Sequence, residues 1–457
     1  MEPYHTKISD ILSSQQMLAR HPGASQVGSD IYSSRVNSTS ELMKRQRYTG
    51  QYVSQANNLV FGGQSSFFLT PGSIMNGIIL SASVSLPRYS RAPDFWLLNA
   101  IDSVEMIISG SSSVQSLKIQ GRSHMDYIFA SLNSNKLQAI RDANPYINLA
   151  PAGTYPLLVN ASIPLHLFFS SDDISSVFPL DTSTLQSQII LNVRWKQVYN
   201  IFSGDGTNAV VLPSAFSGLY MRVGSQVTID NNFSLANELK TDSDMIYSLP
   251  INYLQTFTQI MPVANLGAPE SSITLTSMPS GQLQCIICSV SEVDADGVAG
   301  TQSLINPYAL FGSIRMLYNG IEIYRADTLN ELTLFNSQMA DDDSLSLNYR
   351  NFYSTTTSTV PALYYGPYVV VIPMGNEISK ILRERRHEHT KDYSGTSLQF
   401  FYTLNAPGAS YFTNSLPVSG GVLDYDAPTV PGNYRLTFTF VNAGLIEISQ
   451  RTVSLQM

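Results

Sequence analysis

Residues 163–196 read IPLHLFFSSDDISSVFPLDTSTLQSQIILNVRWK, and the fold turns on how the two ends of this stretch alternate. Ile189, Leu191, Val193 and Trp195 interleave with Ile190, Asn192, Arg194 and Lys196. A period of two marks a strand with one buried and one wetter face. Ile163, Leu165, Leu167 and Phe169 repeat the pattern upstream. Between them, Asp172 and Asp173 are adjacent carboxylates whose side chains diverge and which have no oriented partner, so a solvated loop is the reading rather than an acid–base pair. A connection as long as residues 170–188 suits Greek-key or jelly-roll wiring better than a meander.

Composition agrees with a β-rich, contact-making protein. Of the 457 residues 43% are hydrophobic, enough for a large core, while only 13% are charged, about half the usual share of roughly 25%. Ser, Thr, Asn, Gln and Tyr take the place of charge, a surface suited to turns and extensive protein contact. The net charge of −8 argues against a dedicated nucleic-acid binder, which normally carries a basic face. Charge is also uneven: residues 1–55 hold six Lys or Arg against four Asp or Glu, so a slightly basic arm precedes an acidic body. The first thirty residues lack an apolar signal region. No run reaches the roughly 18–20 apolar residues of a spanning helix; YVVVIPM (368–374) has strand length. Secretion by a signal peptide is not expected. Cys285 and Cys288, the two cysteines, lie three apart in QCIIC, which on a strand sends them to opposite sides. They read as buried free thiols in a reducing compartment.

The chain repeats itself. SVEMIISGSSSVQSLKIQG (103–121) reads as strand, turn, strand, and the next segment places Met125, Ile128, Phe129 and Leu132 on one helical face, with Ser123 and Asp126 as a start signal. SIRMLYNGIEIYR (313–325) is a hairpin around Asn319-Gly320, the pair suited to a type I′ turn. A helix with Thr328 and Glu331 as capping box follows it, presenting Leu329, Leu332 and Phe335. Downstream, Ile163-Pro164 is answered by Ile372-Pro373, and IILNVRW (189–195) by LQFFYTL (398–404). GLYMRVGSQVTI (218–229) is answered by YRLTFTFVNAGLIEI (434–448), where Tyr434, Leu436, Phe438 and Phe440 alternate as in a half-buried strand. The expected fold is all-β: two tandem eight-stranded jelly-roll β-sandwiches with short helices in connecting loops. The expected boundaries are 1–54 for an N-terminal arm, 55–244 for the first jelly roll and 245–457 for the second.

With these residues in hand, the chain resembles the double jelly-roll major capsid proteins of icosahedral viruses, the lineage joining tailless membrane-containing phages, adenoviruses and large eukaryotic DNA viruses. The carriers are FWLLNAIDSVEMIISG, the helix after it, the IPL-x-FF strand at Ile163–Phe169, Phe178-Pro179-Leu180, Ile189–Trp195, the link LPINYLQTFTQ and the closing YRLTFTFVNAGLIEIS. The resemblance implies a structural viral protein and not an enzyme. It would form pseudo-hexameric homotrimeric capsomers that tile an icosahedral virion shell. The implied partners are further copies of itself, penton and minor capsid proteins, and an internal membrane reached through the N-terminal arm. Sequence-specific nucleic acid is not among them. The implied location is the virion capsid, after synthesis in host cytoplasm or nucleus.

Candidate contact residues are basic. MKRQR contributes Lys44, Arg45 and Arg47, and ISKILRERRHEH (378–389) contributes Lys380, Arg383, Arg385 and Arg386. The second segment reads equally well as an inter-subunit or interior contact and as a solvated helix face. Residues 1–50 are expected to lock neighbouring capsomers or touch the inner layer. His387 and His389 lack a third metal ligand, DADG (294–297) lacks the remaining ligands of a calcium loop, and MADDD (339–343) reads as a helix end. Asn37, Asn160 and Asn232 head sequons expected to go unused. Without a P-loop, nucleophile elbow or HExxH, no catalytic residue, metal or cofactor is expected. The competing class is a glycan-binding or glycoprotein-amidase-like double jelly-roll protein, which would need a cleft assembled from distant residues.

Overall fold

The computed structural model describes residues 45–69, 74–92, 95–109, 114–131, 139–140, 142–144, 147–148, 156–165, 180–181, 189–204, 210–228, 247–262, 270–275, 282–292, 310–328, 331–332, 334–335, 369–374, 391–392, 397–405, 433–449 and 452–456. The principal strands of the first half are β1 (Arg45–Gln55), β2 (Gln64–Leu69), β3 (Ile74–Leu86), β4 (Ile101–Ser109), β5 (Val114–Gln120), β6 (Leu157–Leu165), β7 (Ile189–Trp195) and β8 (Gly218–Thr228). Those of the second half are β9 (Tyr247–Pro262), β10 (Ser271–Leu275), β11 (Gln282–Glu292), β12 (Leu310–Tyr318), β13 (Ile321–Ala326), β14 (Val369–Pro373), β15 (Leu398–Asn405) and β16 (Asn433–Ser449).

Strand order repeats without exception. The first half forms sheets β1-β8-β3-β6 and β2-β7-β4-β5, and the second forms β9-β16-β11-β14 and β10-β15-β12-β13. Adding eight to each label of the first pair gives the second pair. The neighbours along these four sheets pair antiparallel. Apart from the β4–β5 and β12–β13 hairpins, successive strands therefore cross between two facing sheets, which is the jelly-roll path, and the expected all-β double jelly roll is the observed architecture. Short pieces extend it. Leu180–Asp181 pairs with β3, Lys391–Asp392 with β11 and Thr452–Gln456 with β16, while Ser203–Gly204, Ser90–Ala92 and Ile147–Asn148 make a small sheet of their own.

Side-chain alternation explains why each sandwich closes. Along β7, Ile189, Leu191, Val193 and Trp195 are buried while Ile190, Asn192 and Arg194 are not, as the period of two requires. The Trp195 ring lies 4.7 Å from Phe216, and its Nε1–H donates to Ser65 Oγ at 2.7 Å. Trp96 packs 5.2 Å from Phe202. Phe400 and Phe438, 4.4 Å apart, join the two sheets of the second roll. The β12–β13 hairpin turns at Asn319 (φ 48°) and Gly320 (φ 78°), the paired positive values of a type I′ turn.

Several expectations need correction. Residues 45–54, assigned to the arm, belong to β1 and pair with β8. The strand expected to be half-buried over 434–448 is buried on both faces along residues 436–444, Thr437, Thr439 and Val441 included. The helix expected to start at Ser123 begins at Gly121, so Ser123 does not cap it. The Thr328–Glu331 cap does form: the Glu331 N–H donates to Thr328 Oγ1 at 3.2 Å, and the Asp327 N–H to Glu331 Oε2 at 2.6 Å. Short helices do occur in the connections as expected, α1 (Trp96–Asn99) and α2 (Gly121–Ser131) among them.

Candidate functional site: the seam between the two rolls

Helix α2 leaves the first roll directly after β5 and lies against β16, β11 and β14 of the second, with β4, β5 and α1 behind it. Ten of its eleven residues are buried. Gly121 makes this position reachable: a Cβ there would fall 1.9 Å from the Ile101 carbonyl oxygen, a backbone atom at the start of β4. The other end is held by aromatic packing, with Phe129 edge-on to Phe95 at 5.2 Å.

Four consecutive-turn side chains on α2 reach across the seam. Ser123 Oγ accepts from Thr439 Oγ1 at 2.9 Å and lies 2.5 Å from Thr256 Oγ1. Asp126 is fully buried; its carboxylate accepts from Ser289 Oγ at 2.5 Å and pairs with Arg122 Nε at 3.1 Å. Tyr127 OH accepts from Asn252 Nδ2 at 3.0 Å, and Asn252 Oδ1 accepts from Gln284 Nε2 at 3.3 Å. Positions 122 and 126, and 123 and 127, are neighbours one turn apart, so this polar set forms one strip. A buried ion pair stabilises little over an apolar replacement, but the loss of one partner is costly; such a strip fixes how the rolls dock more than how strongly.

Around the strip the seam is dry. Ile251, Leu254, Ile287, Val369, Val371 and Val441 of the second roll join the apolar cluster of the first roll's core. Ile286, Cys288, Val370 and Ile372, their neighbours along the same strands, face the second roll's own core. This is why β14 reads as an unbroken apolar run: it has no wet face. The cysteines obey the same parity, Cys285 on the seam side and Cys288 inside the second roll. Both are free thiols, and burial raises the pKa of each well above the ordinary thiol value, Cys288 further through Asp126 and Cys285.

Two of the candidate contact residues read from the sequence are among the described residues. Arg45 and Arg47 stand on β1, opposite Thr228 and Gln226. Lys44, Lys380, Arg383, Arg385 and Arg386 lie outside the described residues, as do His387, His389, Asn37, Asn232 and segments 294–297 and 339–343. Asn160 is exposed within β6, opposite Ser83. Among the described residues no group of three His, Cys, Asp or Glu side chains could hold a metal, and no described helix is long and apolar enough to cross a membrane. Sequence reasoning missed the seam strip itself. Its signal was an acidic residue, Asp126, set between the apolar Met125 and Ile128.

The outer faces of the rolls differ. On the first roll's β2-β7-β4-β5 sheet, Phe68, Ile190 and Ile107 stand side by side. On the matching sheet of the second roll, Arg315 lies 3.3 Å from Glu270 and 4.4 Å over the Phe401 ring, and Arg325 lies 2.8 Å from Asp327.

No family model matches the chain, and no curated protein matches it. Solved structures do. The PBCV-1 virus capsid model is matched with a TM-score of 0.60 at 12% identity, over 90% of this chain and 96% of that one. The Sputnik virophage structure is matched at 0.53 and 12%, over 90% and 89%. The Faustovirus major capsid protein is matched at 0.54 and 7%, over 91% of each chain. The protein thus has the fold of the double jelly-roll viral major capsid proteins, along nearly its whole length.

Proposed function

We propose that this chain is a major capsid protein, whose copies assemble as homotrimers of pseudo-hexagonal outline that tile an icosahedral virion shell. The observation that carries the reading is the doubled strand order joined by a seam buried on both sides. Two equivalent rolls locked in one block give three copies six similar units, and closed symmetry lets one heterologous contact repeat three times. Obligate contacts of this kind bury on the order of 2,000 Å² or more. The partners are other copies, penton and minor capsid proteins. Residues ahead of β1 serve as an arm toward the inner layer, which a membrane would line. Lys44, Arg45, Arg47 and the basic segment 380–386 supply inter-subunit or interior contacts.

Light scattering on the purified protein, with negative-stain images of the same peak, tests this. A species of three times 50.3 kDa with a hexagonal outline is expected. A persistent monomer that never forms shells would overturn it and favour the glycan-binding or amidase class. The arm has its own test, and the truncation must stop at residue 44, because removing residues 1–50 would also cut into β1. Normal particles from the chain lacking residues 1–44 would remove the arm from assembly.

A further inference from the structure

We infer that Asn319 is a site of spontaneous deamidation in the folded protein, with solvent water as co-reactant, and that the same dipeptide at Asn76-Gly77 is held inert by its strand. The inference stands apart from the capsid reading. These are the two Asn-Gly pairs of the chain, each followed by isoleucine, so the sequence treats them alike and only their backbones differ. The reaction is intramolecular. The Gly320 nitrogen attacks Asn319 Cγ; the new C–N bond forms as the Cγ–Nδ2 bond breaks, and Nδ2 leaves as ammonia with the Gly320 amide proton. Water then opens the succinimide ring. Added at Cγ it gives aspartate, and added at the main-chain carbonyl carbon it gives isoaspartate, whose main chain runs through Cβ and Cγ. The first step requires the 319–320 peptide to turn its nitrogen onto the Asn319 side chain, and glycine, lacking a Cβ, obstructs this least.

At the hairpin little opposes that rotation. Asn319 and Gly320 are both exposed at the β12–β13 tip. Tyr318 and Ile321 form the closing pair. A β-turn draws on the N–H of its fourth residue, here Ile321, which leaves the Gly320 N–H outside the turn's own bond. Beyond its chain neighbours, no heavy atom lies within 4 Å of a Cβ built on Gly320. The Asn319 N–H donates to the Ser397 carbonyl at 3.3 Å, a bond that belongs to the preceding peptide and not to the one that must move. The other pair is confined. Asn76 is the extra residue where β3 shifts register against β8, but the residues on either side of it are paired, Met75 with Ser225 and Gly77 with Gly224. On the opposite edge of β3, Met75 pairs with Leu180 and Ile78 with Leu165. Swinging the 76–77 peptide therefore opens pairing on both edges of the strand. The two products at Asn319 differ in effect. Aspartate suits a type I′ turn as asparagine does and only adds a negative charge to a tip that already carries Glu322. Isoaspartate lengthens the main chain between Tyr318 and Ile321, so the two-residue loop loses its closing pair.

The test ages the full chain at mildly alkaline pH, in buffer and in concentrated urea, until the urea sample has converted at both pairs. Trypsin then releases residues 316–325 and 48–88 as separate peptides, and fragment spectra locate any amide-to-acid mass gain. In the native sample Asn319 is expected to convert and Asn76 to stay intact, whereas in urea the two should convert at similar rates. The native 316–325 peptide should also accept a methyl group from an isoaspartyl methyltransferase, and Asn319→Gln should abolish that signal. Native conversion at Asn76 as fast as at Asn319, or none at Asn319, would overturn the inference. Hydrogen exchange reads the consequence: Asn319→Asp should keep the Tyr318 and Ile321 amides protected, and the aged isoaspartate fraction should lose that protection. Equal protection in the two would refute the opening of the hairpin.

Discussion

Two glycines show how different one residue type's reasons can be. Gly320 sits at φ 78° with nothing within 4 Å of a would-be Cβ, so Gly320→Ala meets only the backbone cost of a left-handed residue, about 1 kcal/mol. Gly121 has the opposite problem, a backbone carbonyl where its Cβ would be. Gly121→Ala must push α2 off β4 and disturb the seam as well, with a cost on the order of 1–3 kcal/mol. Urea unfolding of the two variants should rank them in that order, and equal losses would mean α2 is free to shift. At Arg122 the expected effect is larger. Arg122→Met leaves the Asp126 carboxylate, fully buried, without its cation, at about 3–5 kcal/mol. Adding Asp126→Asn should recover most of that loss in the same assay. The cysteines are expected to be silent to a thiol reagent until the protein is denatured, since burial keeps both protonated; a fast-reacting native thiol would contradict their placement.

Strands differ in how many faces they bury, and alanine scanning reads this directly. On β7, Leu191→Ala should cost about 2–5 kcal/mol and Ile190→Ala much less, because only alternate residues are buried. On β14, Val370→Ala and Val371→Ala should cost comparable amounts, because one faces the second roll's core and the other the seam. A sawtooth on β14 would deny the seam. The same contrast explains what could be read from the sequence. Alternation in β7, the Asn319-Gly320 turn and the Thr328 cap are local signals, written within a few residues. Burial of Thr437 and Thr439 is imposed by α2, whose own residues lie some three hundred positions away, and no local pattern records it. Ser123 resembled a helix cap for the same reason: its hydroxyl is used, but by Thr439 and Thr256 rather than by its own helix.

At the scale of the molecule, the repeat was legible because Ile163-Pro164 and Ile372-Pro373 keep their place in two matching strand orders. How the rolls meet was not, since the seam sets a Ser-Asp-Tyr strip against Thr, Ser and Asn, chemistry the repeat does not share. That seam has a thermodynamic consequence. The first roll's apolar cluster continues into Ile251, Ile287, Val371 and Val441, so unfolding either roll strips the other of cover and exposes apolar surface costing about 25 cal/mol per Å². Separate domains with small polar contacts would melt independently. Here calorimetry on the isolated chain should show one transition. Ile287→Asp, which places a carboxylate at the seam's centre, should split it in two, with the first roll's α2 losing amide protection in the earlier step. Two resolved transitions in the unaltered chain would mean that the rolls are neighbours rather than one block, and a rigid building unit would then have to come from contacts between copies.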